Sequence, residues 1–319
     1  MLHAHHNFKH IDTSGHYFVT MISNSAMFES RYILYKRFAK QFPEGKLITC
    51  EVAFGTRPHE ITERGNRHHL QFRTQDEIWI KENALNLAVQ YLTNLDPDWA
   101  YVTIIDADVE FLYEHVEQKI VHSLQHFKVI QPWSTAVDFG PHDQPINIQR
   151  SFMYNWAHGI RESQPCEYYG GKSYIGHCGY VWSYRREAWN DLGGMFDLAM
   201  LGSGDHHMAT ALVGEVRNSV HADMHPNYLK LLRDYEERAV RLIDFNIGYI
   251  DGGISHFFHG KKAHRKYQTR WQILVANQFD PLVDVKRDTQ GLYKLDCGWK
   301  LRNEIRNYFK VRNEDDKNI

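Results

Sequence analysis

Tyr101-Val102-Thr103-Ile104-Ile105-Asp106-Ala107-Asp108 is an apolar strand that runs directly into two aspartates one residue apart. A buried strand ending this way delivers carboxylates to the carboxyl edge of a sheet, where α/β proteins bind their ligands. Carboxylates in that place favour hard cations such as Mg²⁺ or Mn²⁺, which also bind substrate phosphates. The tripeptide alone reads equally well as a polar turn that closes the strand. The segments around it decide between the two.

Upstream, the chain alternates strands and helices. Residues 16–22 read as a strand, with Ser23-Asn24-Ser25 as a helix cap before Phe28, Tyr32, Tyr35 and Phe38 at helical spacing. Residues 46–54 read as a second strand, broken by Gly55. Thr74-Gln75-Asp76-Glu77 has the form of a capping box, and Ile80, Ala84, Leu87, Ala88 and Tyr91 behind it share one helical face. That helix has to stop before Asp96-Pro97. Strand–helix alternation of this kind predicts a mostly parallel sheet covered by helices, the doubly wound arrangement.

Downstream, Gly176-His177-Cys178-Gly179-Tyr180-Val181-Trp182-Ser183 suits a strand with close backbone approach, and Arg185 to Leu192 a short helix ended by Gly193-Gly194. Gly202-Ser203-Gly204-Asp205-His206-His207 puts an acid at a helix start, either over the sheet edge or as a plain N-cap. The stretch from Gly252 through His256, His259 and Gly260 to Lys261, Lys262, Arg265 and Tyr267 joins histidines to basic residues. It suits a metal beside an anionic diphosphate, or a core histidine before a solvated basic helix. Histidines three apart share one face of a helical turn but oppose each other in an extended segment.

The 319 residues are 43% hydrophobic and 13% aromatic, enough for a globular core. A net charge of -2 argues against a broad basic footprint for nucleic acid, leaving a local patch at residues 261–270. No run of 18 apolar residues occurs, and Met1 to His6 lacks a leader's apolar stretch, so the expectation is a cytoplasmic protein without a membrane span. Cys50, Cys166, Cys178 and Cys297 show no paired spacing and read as reduced thiols. The charged run 310–319 reads as a fraying tail.

In this order the clusters resemble the GT-A fold nucleotide-sugar glycosyltransferases, over roughly residues 17–274. Trp79 to Ala88 is similar to the helix before the family's metal strand, and Asp106-Ala107-Asp108 to its Asp-x-Asp signature. Gly193-Gly194-Met195-Phe196-Asp197 and Gly202-Ser203-Gly204-Asp205 look like motifs of inverting members, bacterial, viral and of the β-1,4-galactosyltransferase group. His256-x-x-His259-Gly260 with Arg265, Tyr267 and Arg270 is similar to the C-terminal metal-histidine segment. The chain departs from the pattern where Asp205 is followed by His206-His207 instead of a second acid.

The resemblance implies a Rossmann-like, mostly parallel sheet flanked by helices in a single domain over 1–275, with a nucleotide-binding half at 1–130, an acceptor half at 131–275 and a C-terminal helical extension at 276–319. It implies transfer from a nucleoside diphosphate sugar, UDP by preference, to an acceptor hydroxyl, with Mn²⁺ or Mg²⁺. Asp108 is the expected main metal ligand, with His256 or His259, and Asp106 touches metal or donor. Lys81, Asn83, Ser23, Asn24, Glu51, Lys262 and Arg265 are the expected donor contacts, and Asp205 the general base. Trp133, Trp182, Tyr180 and Tyr184 are candidates to stack on sugar, in or near an aromatic region, 133–171, placed beside the acceptor. The acceptor is open among glycan, protein, lipid-linked saccharide and a hydroxymethylated nucleobase of phage DNA. Retaining chemistry stays open, as does a two-metal phosphoryl-transfer or hydrolytic enzyme that also recruits Asp197, Asp205 or Asp251. A non-catalytic sugar- or nucleotide-binding protein has no use for a base opposite a metal.

Overall fold

The computed structural model describes residues 10–161, 175–267 and 269–316, with the side chain of Lys262 outside the description. The first half holds β1 (His16–Ser23), α1 (Glu29–Phe38), β2 (Leu47–Phe54), β3 (His69–Thr74), α2 (Lys81–Leu95), β4 (Tyr101–Ile105), β5 (Val109–Phe111) and α3 (Val116–Leu124). Next come β6 (Val129–Gln131), β7 (Thr135–Phe139), β8 (Pro145–Arg150), α4 (Phe152–Ala157), β9 (Val181–Arg185), α5 (Arg186–Leu192) and α6 (Gly204–Ala211). The chain continues through α7 (Pro226–Arg238), β10 (Ile247–Tyr249), β11 (Gly253–His256), α8 (Trp271–Ala276), β12 (Val285–Arg287), β13 (Tyr293–Leu295) and α9 (Trp299–Lys310).

The main sheet has seven strands in the order β10-β6-β9-β4-β1-β2-β3, and β9 alone runs antiparallel to its neighbours. The expected mostly parallel sheet flanked by helices is therefore present. β4 is apolar throughout because it is central: Val102, Thr103, Ile104 and Ile105 are all buried. α2 lays Ala84, Leu85, Ala88, Val89 and Leu92 against the sheet, and each of these is at most 1% exposed. Burying each larger side chain of that set contributes roughly 1.5–3 kcal/mol.

A second, four-stranded sheet in the order β5-β11-β7-β8 was not foreseen. Its strands are short, and their pairing is set by contacts between residues far apart in sequence. The Asp-x-Asp turn links the two sheets, since β4 lies in the first and β5 in the second. The β12–β13 hairpin and α9 bury Val285, Leu292, Leu295, Leu301, Ile305 and Tyr308 in the same core cluster as α2 and β4.

Three local expectations fail for one reason, that partners distant in sequence replace local ones. Thr74-Gln75-Asp76-Glu77 does not cap α2, which begins at Lys81 without a side-chain cap. Thr74 Oγ1 instead accepts from Asp76 N, and the Asp76 carboxylate binds Leu295 N and Arg302. Ser23-Asn24-Ser25 does not cap α1, because Asn24 folds onto the backbone of Phe28. The cap comes from Asp315, which accepts from Glu29 N and Ser30 N at 2.9 Å each. The charged tail is therefore docked over its described part, with Glu314 only 3% exposed.

Candidate metal centre and its cleft

The register of the second sheet builds the site. β11 pairs antiparallel with β5, opposing His256 to Val109, and Phe257 N donates to Asp108 O at 3.1 Å. His256 therefore arrives beside Asp108. After β11 the chain is neither helix nor strand through Phe257, Phe258 and His259. That irregular turn brings His259 back to the same carboxylate, with its Nε2 3.0 Å from Asp108 Oδ2. His256 Nε2 lies 3.9 Å from Asp108 Oδ1 and 3.3 Å from His259 Nε2. One ligand atom from each of the three residues falls within 4.8 Å of the others, the one such group among the described residues.

The donor set fits a divalent cation. Asp108 Oδ1 is buried without a hydrogen-bond partner among the described residues, an arrangement that hydrogen bonding alone leaves unexplained. Both imidazoles present Nε2 inward while Nδ1 rests on an outer carboxylate. His256 Nδ1 lies 2.9 Å from Asp138 Oδ1, and His259 Nδ1 lies 3.3 Å from Glu314 Oε2. A carboxylate behind a ligating histidine fixes its tautomer and raises its basicity. Arg265 Nη2 also approaches His259 Nε2 at 2.7 Å, bringing positive charge to the same point. Burial alone raises the Asp108 carboxyl, but His259, His256 and Arg265 hold it well below the usual carboxylate range. Burial pushes His256 down against the pull of Asp138 and Asp108, keeping its ring neutral.

The centre lies in a cleft of about 190 Å³ lined by Ser23 and Asn24 at the end of β1, Lys81 at the start of α2, Asp106, Asp205 and Arg270. Lys81 is ion-paired with Asp106. Burial opposes its charge, yet Asp106, Asp205 and Glu82 outweigh that and hold the ammonium protonated. Burial pushes the Asp106 carboxyl up against Lys81, with Asp108 adding to the rise. Asp205 sits in the first turn of α6, not at its N-cap, which is Ser203 with φ +85°. Gly179 makes room for it, since a Cβ there would stand 2.5 Å from Asp205 Oδ2. Burial raises the Asp205 carboxyl less than Lys81, His177 and His206 lower it, so it is ionised.

Asp106 lines the cleft outside the three-residue group, paired with Lys81. Several other expected residues lie elsewhere. Asn83 is buried and ties α2 to the C-terminal hairpin, its Oδ1 accepting from Tyr293 N at 2.9 Å. Glu51 is buried under residues 60–62, accepting from the backbone of Glu60, Ile61 and Thr62. Each of these two polar groups is occupied by backbone, so neither faces the cleft. Trp133, Trp182 and Tyr184 are core residues at 0%, 2% and 1% exposure. Tyr180 alone of the aromatic set lines the cleft, donating its hydroxyl to Asp138 at 2.7 Å. The Lys262 side chain, Cys166 and part of the 133–171 region fall outside the described residues.

Asp197 and Asp251, the acids a two-metal site needs, are also engaged elsewhere. Asp197 pairs with Arg287 at 3.0 Å and accepts from Tyr293, while Asp251 accepts from Ser134 at 2.8 Å. His206 is pushed down to about 4 by burial, despite Asp205. His207 belongs to the core, between Ser219 Oγ at 2.7 Å and Tyr228 OH at 2.9 Å.

Sequence reading missed Asp138, Glu314, Arg31 and Arg312, which carry no local motif. It also gave Arg270 no role of its own. That guanidinium is buried in the cleft wall, bonds Ser203 Oγ, has no ion-pair partner among the described residues and leaves Nε unsatisfied.

No family model matches the sequence, and no curated protein matches it. Among solved structures the chain is similar to a protein of Desulfovibrio desulfuricans G20 described as a candidate nucleotide-diphospho-sugar transferase. The two share 11% identity over 82% of this chain and 93% of that chain, with a TM-score of 0.34. A likeness at that level bears on neither fold nor function.

Proposed function

We propose that the chain transfers a sugar from a nucleoside diphosphate sugar, UDP-linked by preference, to an acceptor hydroxyl with inversion, using Mn²⁺ or Mg²⁺. The observation that carries this reading is the Asp108–His256–His259 group in a cleft that also presents buried cations and the ionised Asp205. A divalent cation held by those three residues supplies charge neutralisation for a leaving diphosphate.

The chain's own groups divide the remaining work. Arg265, beside His259, and Arg270 both line the cleft and suit the diphosphate oxygens, with Lys262 as a further candidate. Lys81 holds Asp106 and screens the two aspartates from each other. Ser23 and Asn24 line the end of β1, where a nucleoside enters a parallel sheet. In the reaction an acceptor oxygen bonds to the anomeric carbon as the bond from that carbon to the phosphate oxygen breaks. The acceptor proton passes to Asp205, and the bonding electrons leave with the diphosphate.

Thermal stability against UDP-, GDP-, CMP- and ADP-sugars, each with Mn²⁺, Mg²⁺ or EDTA, tests this directly. One nucleotide sugar raises Tm only with metal, and Asp108→Ala removes the shift. A shift with metal alone, to which no nucleotide sugar adds, sinks the proposal and favours phosphoryl transfer. The anomeric configuration of the product then separates inversion from retention.

A further inference from the structure

The two histidines of the metal centre are supported unequally. Asp138, behind His256, belongs to β7 and is locked by Tyr180, Asn147 and Gln149. Glu314, behind His259, lies beyond α9 on the C-terminal segment. Its carboxylate is 2% exposed and is shared among His259, Arg31 of α1 and Arg312. Arg31 grips it with two nitrogens, Nη2 at 2.9 Å from Oε1 and Nε on Oε2. The neighbouring Asp315 caps α1 through Glu29 N and Ser30 N. Gly260, one residue past His259, has φ +83°, and a Cβ there would stand 2.7 Å from Glu314 Cα and 2.8 Å from Asn313 O. Residues 312–315 thus occupy a fitted seat between α1 and the histidine turn.

We propose that residues 312–315 are a strap that completes the metal centre, with Glu314 as the positioning residue for His259. The inference rests on the metal reading of Asp108, His256 and His259. With the strap seated, Glu314 accepts the Nδ1 proton of His259 in a hydrogen bond, which leaves the Nε2 lone pair free for a cation shared with Asp108. Without it, His259 stands on an irregular turn with no carboxylate on Nδ1, and Asp108 on Nε2 is its one remaining acid contact among the described residues. Metal binding and strap docking are then reciprocal: whatever Glu314 adds to cation affinity, the cation returns to the docked strap.

Hydrogen exchange of residues 310–316 in the intact chain, with and without Mn²⁺, reads the coupling without a mutation. Slower exchange with Mn²⁺ is expected. Calorimetric Mn²⁺ affinity and the visible spectrum of the Co²⁺-loaded protein are then compared for wild type, Glu314→Ala and Glu314→Gln. Alanine weakens Mn²⁺ by about 10- to 100-fold and shifts the Co²⁺ bands, while glutamine, still an acceptor for Nδ1, recovers much of the loss. A Glu314 that only stabilises the fold lowers Tm and leaves the Co²⁺ spectrum unchanged. Alanine takes the carboxylate from buried Arg312 and half-buried Arg31 and can unfold the chain; in that event the exchange experiment and the glutamine variant decide. Mn²⁺ binding by wild type with no protection of 310–316, or with wild-type affinity in a folded Glu314→Ala, overturns the strap alone. No Mn²⁺ binding by wild type overturns the metal reading itself.

Discussion

His256 Nδ1 lies 2.9 Å from Asp138 Oδ1, a contact set by the parallel register of β7 on β11, which places the two residues side by side. Four neighbours of the Asp138 carboxylate are able to donate to it: His256, the Tyr180 hydroxyl, and the amides of Asn147 and Gln149. An amide in its place meets a donor with a donor. Asp138→Asn is therefore expected to weaken Mn²⁺ by at least about 10-fold through His256, while Asp138→Ala takes the shared acceptor from all four donors and lowers stability as well. Metal titration paired with urea denaturation separates these effects, and unchanged affinity in the asparagine variant rules out the role assigned to Asp138.

Asp108→Asn keeps the shape of the centre but replaces one anionic oxygen with a donor facing two imidazoles. Mn²⁺ binding and metal-dependent nucleotide-sugar binding are expected to fall below detection with Tm within a few degrees of wild type. Calorimetry checks the first and a thermal melt the second. Metal binding that survives the substitution refutes Asp108 as the main ligand.

Asp205→Asn separates binding from transfer. If Asp205 takes the acceptor proton, kcat for transfer falls by about 10²- to 10⁴-fold while donor affinity stays near wild type. Loss of donor affinity with kcat retained would instead make Asp205 a binding residue.

Gly260→Ala and Gly193→Ala both place a side chain at positive φ, +83° and +75°, but only Gly260 faces backbone at contact distance. Gly193→Ala should lose about 1–2 kcal/mol, the left-handed strain alone. Gly260→Ala should lose more and also weaken Mn²⁺, since it pushes against Glu314. Equal losses in urea melts would show that the tail yields freely at this point.

His207 supplies a pH dependence of known sign. Burial above all holds its folded pKa at about 3, against roughly 6.5 for an unfolded histidine. The unfolded chain therefore binds a proton that the folded chain refuses between those values. The stability that neutral His207 provides is full above pH 6.5 and is lost as pH falls toward 3, by up to about 1.4 kcal/mol per pH unit. His207→Gln should be less stable at pH 8 yet lose less stability on acidification. Parallel slopes for the two proteins between pH 6.5 and 4.5 would exclude the assignment.

What the sequence determined by itself follows from near-neighbour chemistry. Apolar runs of strand length set β1, β2 and β4, and helical spacing set α2, so a mostly parallel sheet with Asp106 and Asp108 at its edge was legible in advance. Residue types also nominated the metal group, because Asp108, His256 and His259 stand in short motifs. Tertiary structure decided which of the nominees meet. The antiparallel register of β11 on β5 brings His256 to Asp108, and an irregular turn returns His259 to it, where a continued strand would turn it to the opposite face. The same tertiary contacts kept Asn83 and Glu51 out of the cleft, put Arg270 in its wall, and set Asp138 and Glu314 behind the histidines. A charged tail reads as solvated unless its partners are known, and those of Glu314 and Asp315 lie more than 280 residues away in α1. Local periodicity reports which face of an element is buried; it carries no information about which distant charge will be buried against it.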